Sequence, residues 1–322
     1  MNIIKKIIKS FEEKRKKPLF KLINSSWHEN GASDELLLFL NLICNNSRAL
    51  KVFHKNIWLI YICCLLEKGE KNKANSVLNR YLHIYGTENI ELYLPVANLA
   101  FEKGICNDDI STSARIFNIF EKSRKNNLFM NYIRGKSIAI VGNGPQELNR
   151  KKGKEIDAHD VVIRFNYYKQ QGFEEDYGTK TDIWVKNHEI QATKISNDVD
   201  FVVLKLDYWH SAVNLDRLKS NLKNVNNVDC IQMQHKKISR LYMEDILHDP
   251  TLGFYVITSI FKEFGNFNNI DFYGFSFLEE GFRPCAHFYE NRSEKEYETI
   301  QKFHKFKEET EILKKLVCTY TL

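Results

Sequence analysis

Two asparagines placed at predicted strand ends are the residues of this chain best suited to hold a ligand. An apolar run, Ile138 to Val141, breaks at Gly142-Asn143-Gly144-Pro145, and a second, Val161 to Phe165, breaks at Asn166. Each run reads as a buried strand that delivers a carboxamide to its carboxyl end, where open α/β sheets bind ligands. A carboxamide offers hydrogen-bond donors and an acceptor, which suits a neutral sugar hydroxyl or a cytosine ring. Glycines flanking Asn143 also invite a dinucleotide-binding reading. That pattern needs a further glycine three residues after Gly144, and Glu147 stands there, where its carboxylate would repel a pyrophosphate. The acidic ribose-binding residue is likewise missing from the second strand end, which carries Asn166. A nicotinamide cofactor is therefore disfavoured. A Walker phosphate loop is absent, and no Asp-x-Asp pair is poised for a metal–diphosphate.

The elements that must position these residues begin near Arg134. From there short β-rich runs alternate with helical stretches: SIAIVG, VVIRFN, DIWVKN, FVVLKL, VDCIQM and IDFYGF. Strands alternating with helices predict an α/β fold, a Rossmann-like, mostly parallel sheet with helices on both faces. Residues 1–130 read instead as helix after helix. Leu66-Glu67-Lys68-Gly69 recurs as Phe101-Glu102-Lys103-Gly104, an offset of 35 residues, each copy lying between two helix-like runs. That echo predicts an all-α domain of helical hairpins, tetratricopeptide-like in period. The expected division is a helical region over 1–130 and an α/β domain over 131–322. The helical array is either a docking surface for a protein partner or a prop for the α/β domain.

The formal charge of +6 is concentrated at the start of the chain. Residues 1–17 hold seven Lys or Arg against Glu12 and Glu13, so the remainder is close to neutral. A broad basic surface for nucleic acid is unsupported. The same segment carries Ile3, Ile4, Ile7, Ile8 and Phe11 at helical spacing. It is either a helix lying on an anionic membrane surface or a solubilising helix with its apolar face docked on the protein. No apolar run is long enough to cross a bilayer, and no secretory signal is evident. Seven cysteines lack C-x-x-C spacing; Cys63-Cys64 read as packing residues. An odd count without a framework fits a reducing cytosol, so the expected location is cytoplasmic, and peripheral on the inner membrane face under the first of those two readings of the N-terminal helix.

The stretch 138–182 resembles the large motif of the sialyltransferases, glycosyltransferase family 29. After the strand ending in V-G-N come Gly153-Lys-Glu155-Ile156-Asp157-Ala-His159-Asp160, Arg164 and Asn166, and then Gly172-Phe173, Asp176, Gly178 and Lys180-Thr181. Three further segments follow in the family's order. Pro250-Thr251-Leu252-Gly253, then a helix and IDFYGF, resembles the small motif, with T-L-G where the family has S-T-G. His287-Phe288-Tyr289-Glu290 resembles the third motif. His304 with Glu309 resembles the very small motif at the opening of a C-terminal helix. Animal members carry cysteines where this chain has Ile138 and Phe267, which points to a bacterial-type member without that disulfide.

The resemblance implies an inverting, metal-independent transfer of sialic acid from a CMP-sugar donor to a glycan hydroxyl, with no cofactor beyond that donor. It assigns the general base to His304 and stabilisation of the departing phosphate to His287. A His that titrates near neutrality suits the first task. Gly142, Asn143, Gly144, Asn166, Thr251, Leu252, Gly253 and Tyr289 would bind the donor, and Glu309 would bond back to its helix start or hold His304. The expected product is capsule or lipooligosaccharide. Two alternatives stay open: a transferase using the chemically similar CMP-Kdo, and a helical docking module beside a degenerate transferase domain. Each residue also has a structural reading. Asn143 could serve a left-handed turn, Arg164 and Asp160 could form an ion pair, and Asp176, Thr179 and Thr181 could shape the loop after the motif. On this helix rich in Lys and Glu, His304 by itself would simply be solvated.

Overall fold

The computed structural model describes residues 16–45, 54–187, 199–223, 227–231, 250–277, 286–290, 293–301, 304 and 306–320. The amphipathic basic segment expected over 1–17 lies outside them except for its last two residues. The chain divides into two compact units. One comprises residues 1–119 with 207–215, and the other comprises 120–206 with 216–322.

The first unit is helical: α1 Lys16–Asn30, α2 Asp34–Cys44, α3 Asn56–Glu67, α4 Lys71–Tyr85, α5 Leu94–Glu102, and the first part of α6 Asp108–Asn126. Helix α3 is apolar all round, and every residue from Ile57 to Leu65 is buried, as expected of a central helix. Trp27, Leu40, Tyr81 and Tyr93 share one core with it. Cys63 and Cys64 lie inside that core as packing residues, and burial drives both thiols far up, away from the reactive thiolate. The sequence echo is visible as two turns of the same backbone. Gly69 and Gly104 both have φ 76°, a left-handed conformation that glycine adopts without strain. In each turn the residue after the glycine reaches back to the helix, Glu70 N to Leu65 O and Ile105 N to Ala100 O. A 3-10 turn, Ile90–Leu92, stands between the two hairpins.

Residues 207–215 belong to this unit through a buried ionic cluster. The His210 ring nitrogen Nδ1 lies 2.9 Å from Asp207 Oδ1, and Nε2 lies 3.0 Å from Glu67 Oε2. Glu67 also accepts from Ala32 N at 2.9 Å. Burial alone would lower the His210 pKa, but hydrogen bonds and charge from Asp207 and Glu67 win and raise it to about 9.

The second unit opens with α7 Leu128–Ile133 and is built on six parallel strands: β1 Ile138–Val141, β2 Val161–Phe165, β3 Ile183–Asn187, β4 Phe201–Lys205, β5 Asn227–Ile231 and β6 Ile270–Tyr273. Their order is β5-β4-β3-β2-β1-β6. Strands β1 to β4 are buried almost throughout, as a parallel sheet covered on both faces requires. Short helices α8 Gly153–Asp157 and α9 Glu174–Tyr177 send Ile156 and Tyr177 against one face, beside Ala139, Val141 and Val162. Helix α10, Leu215–Leu222, precedes β5. Helices α11 Leu252–Phe264 and α13 Phe306–Tyr320, with α7, cover the other face, where Ile138, Ile140, Ile163 and Val203 point. Helix α12 spans Glu294–Gln301.

The chain steps outward from β1 to β5 and then returns to place β6 on the far side of β1. That reversal makes the carboxyl ends of β1 and β6 a topological switch point. Arg164 and Asp160 do not pair across β2. Asp160 sits at the strand's start and accepts from Ser137 N and Oγ, while buried Arg164 near the other end donates to the carbonyls of Lys180 and Tyr177. The following loop is shaped by Asp176, which accepts from Asn149 N and Lys151 N, by Thr179 on Asp157, and by Thr181, whose hydroxyl accepts from Tyr168.

Candidate active site

A cleft of about 360 Å³ opens at the carboxyl ends of the strands, within the size range of small-ligand sites. Its wall near the switch point is bare backbone. Gly142 N donates to Tyr273 O and Gly144 N to Gly274 O, both at 2.8 Å. A Cβ on Gly142 would fall 2.4 Å from Gly274 O, so the segments after β1 and β6 approach too closely for any side chain. Buried Glu147 accepts from Gly274 N at 3.2 Å, which makes it a brace for that crossing.

Asn143 and Asn166 both line the cleft. The Nδ2 group of Asn143 donates to the carbonyls of Phe165 and Tyr167, and its own carbonyl accepts from Phe288 N. Asn143 thus ties the end of β1 to the end of β2 and to the third motif. The left-handed residue is Asn166, with φ 47°. Its Oδ1 accepts from Asn187 N at 3.0 Å and its carbonyl accepts from Trp184 Nε1.

The opposite wall is the N-terminus of α11. Thr251 is its N-cap, and its Oγ1 accepts from Phe254 N. The same hydroxyl donates to Glu309 Oε2 at 2.6 Å, and Thr251 N donates to the same carboxylate. Glu309, in the first turn of α13 and 4% exposed, therefore joins the starts of two helices. The bonds described for it go to Thr251 N and Oγ1. Leu252 and Gly253 line the cleft beside Thr251, and Leu252 also packs in the core below.

His287 and His304 complete the wall. His287 Nδ1 lies 2.7 Å from Glu290 Oε1, a pairing that orients the ring. The ring of His304 meets that of Phe306 at 5.3 Å between centroids. Tyr289 is placed elsewhere: it does not line the cleft, and its hydroxyl donates to Tyr167 O at 2.7 Å. The cleft thus gathers Gly142, Asn143, Gly144, Asn166, Thr251, Leu252, Gly253, His287, His304 and Glu309 and leaves Tyr289 outside.

Gln146, Asn187 and Lys205 are among the polar lining residues that were not anticipated. Gln146 is 2% exposed, and neither atom of its carboxamide end has a hydrogen-bond partner, a costly state that a bound polar ligand would relieve. Nothing in the local sequence marks it. Asn187 was findable, because it ends a third apolar strand in the same way that Asn166 ends the second.

An all-parallel sheet with a polar cleft at its switch point is the signature of an open α/β ligand-binding domain. The family model for glycosyltransferase family 29 (sialyltransferase) matches residues 91–320, and the chain belongs to that family. Beta-galactoside alpha-2,6-sialyltransferase 2 of Rattus norvegicus is 37% identical over 70 residues, which are 22% of this chain and 13% of the rat protein. The Gallus gallus protein of the same name is 34% identical over 104 residues, 31% of this chain and 20% of that one. The matched stretches therefore span a fifth or less of these curated relatives. A crystal structure of a mammalian sialyltransferase in complex with Gal-beta-1-3GalNAc-ortho-nitrophenol is 19% identical. The likeness covers 64% of this chain and 79% of that one, with a TM-score of 0.39.

Proposed function

We propose that this protein transfers sialic acid from CMP-sialic acid to a glycan hydroxyl, with inversion and without a metal. The observation that carries the reading is convergence. His287, His304, Asn143, Asn166 and the α11 N-terminus are far apart in sequence and line one cleft. In the proposed reaction His304 takes the proton of the attacking hydroxyl. The anomeric bond to phosphate breaks on the opposite face, and CMP leaves with its charge held by His287 and by N–H groups near Gly253. Asn143, whose Nδ2 group is committed to the end of β2, acts mainly by fixing the wall, while Asn166 orients the nucleotide sugar.

The curated relatives are named for β-galactoside and α-2,6 specificity, which makes a terminal galactoside the first acceptor to try. We further propose, on the basic amphipathic sequence over 1–17 and the cysteine pattern alone, a bacterial-type enzyme at the inner membrane face that builds capsule or lipooligosaccharide. The helical unit, with its recurring glycine turns, is proposed as a tetratricopeptide-like docking surface. The test of the chemistry is His304→Ala. Sialyl transfer should fall at least a hundredfold while CMP affinity stays within about threefold. Retained transfer with lost CMP binding would reverse the roles of the two histidines.

A further inference from the structure

Lys205 lies outside every segment that carries the family resemblance. It ends the strand Phe201–Lys205, on the face where Phe201 and Val203 enter the core. Two residues further along that face, an apolar side chain gives way to a lysine that is 8% exposed as a residue. Burying a charge is costly unless something compensates. Here Nζ donates to Pro250 O at 3.2 Å and lies 5.1 Å from the centre of the Tyr255 ring. Both groups belong to the segment that forms the α11 N-terminus. Lys205 lines the cleft, and among the described lining residues it is the one lysine or arginine.

Its place in the sheet says which part of a ligand it meets. Lys205 pairs in register with Asn187, whose N–H bonds to Asn166. Asn166, Asn187 and Lys205 therefore form a row along the ends of β2, β3 and β4, leading away from the switch point. With strands about 4.8 Å apart, β4 lies roughly 14 Å from β1 across the sheet. A CMP-linked acidic sugar carries two negative charges, one on the phosphodiester and one on the sugar carboxylate. The phosphate is served near His287 and Gly253 in the reaction proposed above. We infer that Lys205 binds the carboxylate of the transferred sugar and thereby selects an acidic sugar over a neutral one. This deepens the sialyltransferase reading and rests on it.

The test compares CMP, CMP-sialic acid and the methyl ester of CMP-sialic acid on the full chain. Wild type should bind the acid at least tenfold more tightly than the ester. Lys205→Met should abolish that discrimination, weaken CMP-sialic acid about tenfold and leave CMP within twofold. Lys205→Arg should restore most of the preference for the acid. CMP binding reports that each variant is folded. Were Lys205→Met to unfold, Lys205→Gln, which removes the charge and keeps a polar end, would take its place and should likewise lose the discrimination. Unchanged discrimination in the variant that lacks the charge overturns the inference, and so does an equal loss for CMP and CMP-sialic acid. If wild type binds neither CMP compound, it is the sialyltransferase reading that has failed.

Discussion

At the scale of single residues, the most instructive result concerns Glu309. Sequence reasoning placed it one turn inside a helix beside His304, which is where it lies in the chain. Its carboxylate crosses to Thr251, accepting from that residue's N–H and hydroxyl, a contact across the fold that the sequence does not announce. The hydroxyl in turn caps α11 by accepting from Phe254 N. Thr251→Ala therefore removes a cap, worth about 0.5–2 kcal/mol. It also strips one bond from a buried carboxylate, worth about 1–3 kcal/mol. The variant should lose about 2–3 kcal/mol in urea unfolding of the α/β unit and bind donor more weakly. Thr251→Ser, which keeps the hydroxyl, should lose under 1 kcal/mol. Equal losses for the two variants would show that the methyl group, and not the hydroxyl, matters.

At the scale of elements, strands were legible and the links between them were not. Ile138–Val141 and Val161–Phe165 appear with the bounds read from their apolar runs, because a strand buried on both faces is apolar at nearly every position, Arg164 being the exception. Asn143 and Asn166 could be found for the same reason: a polar residue at the end of such a run stands out. The strand order was not readable, since nothing in the run Ile270–Tyr273 says that it returns to the flank of β1. Without that order Lys205 is one lysine among many; with it, Lys205 falls in line with two asparagines. The separation of Arg164 from Asp160 follows from strand geometry, because four residues of strand carry their side chains about 13 Å apart. The position of Tyr289, bonded to Tyr167 O and outside the cleft lining, was hidden for a similar reason. A four-residue motif fixes which residues are neighbours in sequence, but only the packing of Phe288 against Tyr177 decides which side chain turns inward.

At the scale of the whole molecule, each unit carries a buried basic group whose displaced pKa makes stability depend on pH, His210 in one and Lys186 in the other, and the two act with opposite signs. His210 is raised to about 9 when folded, against 6.5 when exposed. Its contribution to the helical unit is fully present below pH 6.5 and is lost as pH rises through 9, roughly 3 kcal/mol in all. Lys186 is fully buried over the Trp184 ring, and burial lowers its pKa to about 8. The folded α/β unit therefore binds that proton less well than the unfolded chain, and its stability rises between pH 8 and the ordinary lysine range. The urea midpoint for loss of the helical unit, followed by proteolysis of residues 54–119, should fall between pH 6.5 and 9. In His210→Gln that fall should disappear. A midpoint flat with pH in the wild type would contradict the assignment of a charged His210 between Asp207 and Glu67.

The central claim is that the cleft at the ends of β1, β2 and β6 holds a cytidine nucleotide. Thermal unfolding in the presence of single nucleotides tests it most directly, because a ligand that binds only the folded state raises the midpoint by mass action. CMP at a hundredfold excess over its dissociation constant should add about 2.7 kcal/mol of stability. UDP, GDP and NAD at the same concentration should add nothing, and Gly142→Ala should abolish the CMP effect. Protection by NAD with none by CMP would contradict the account.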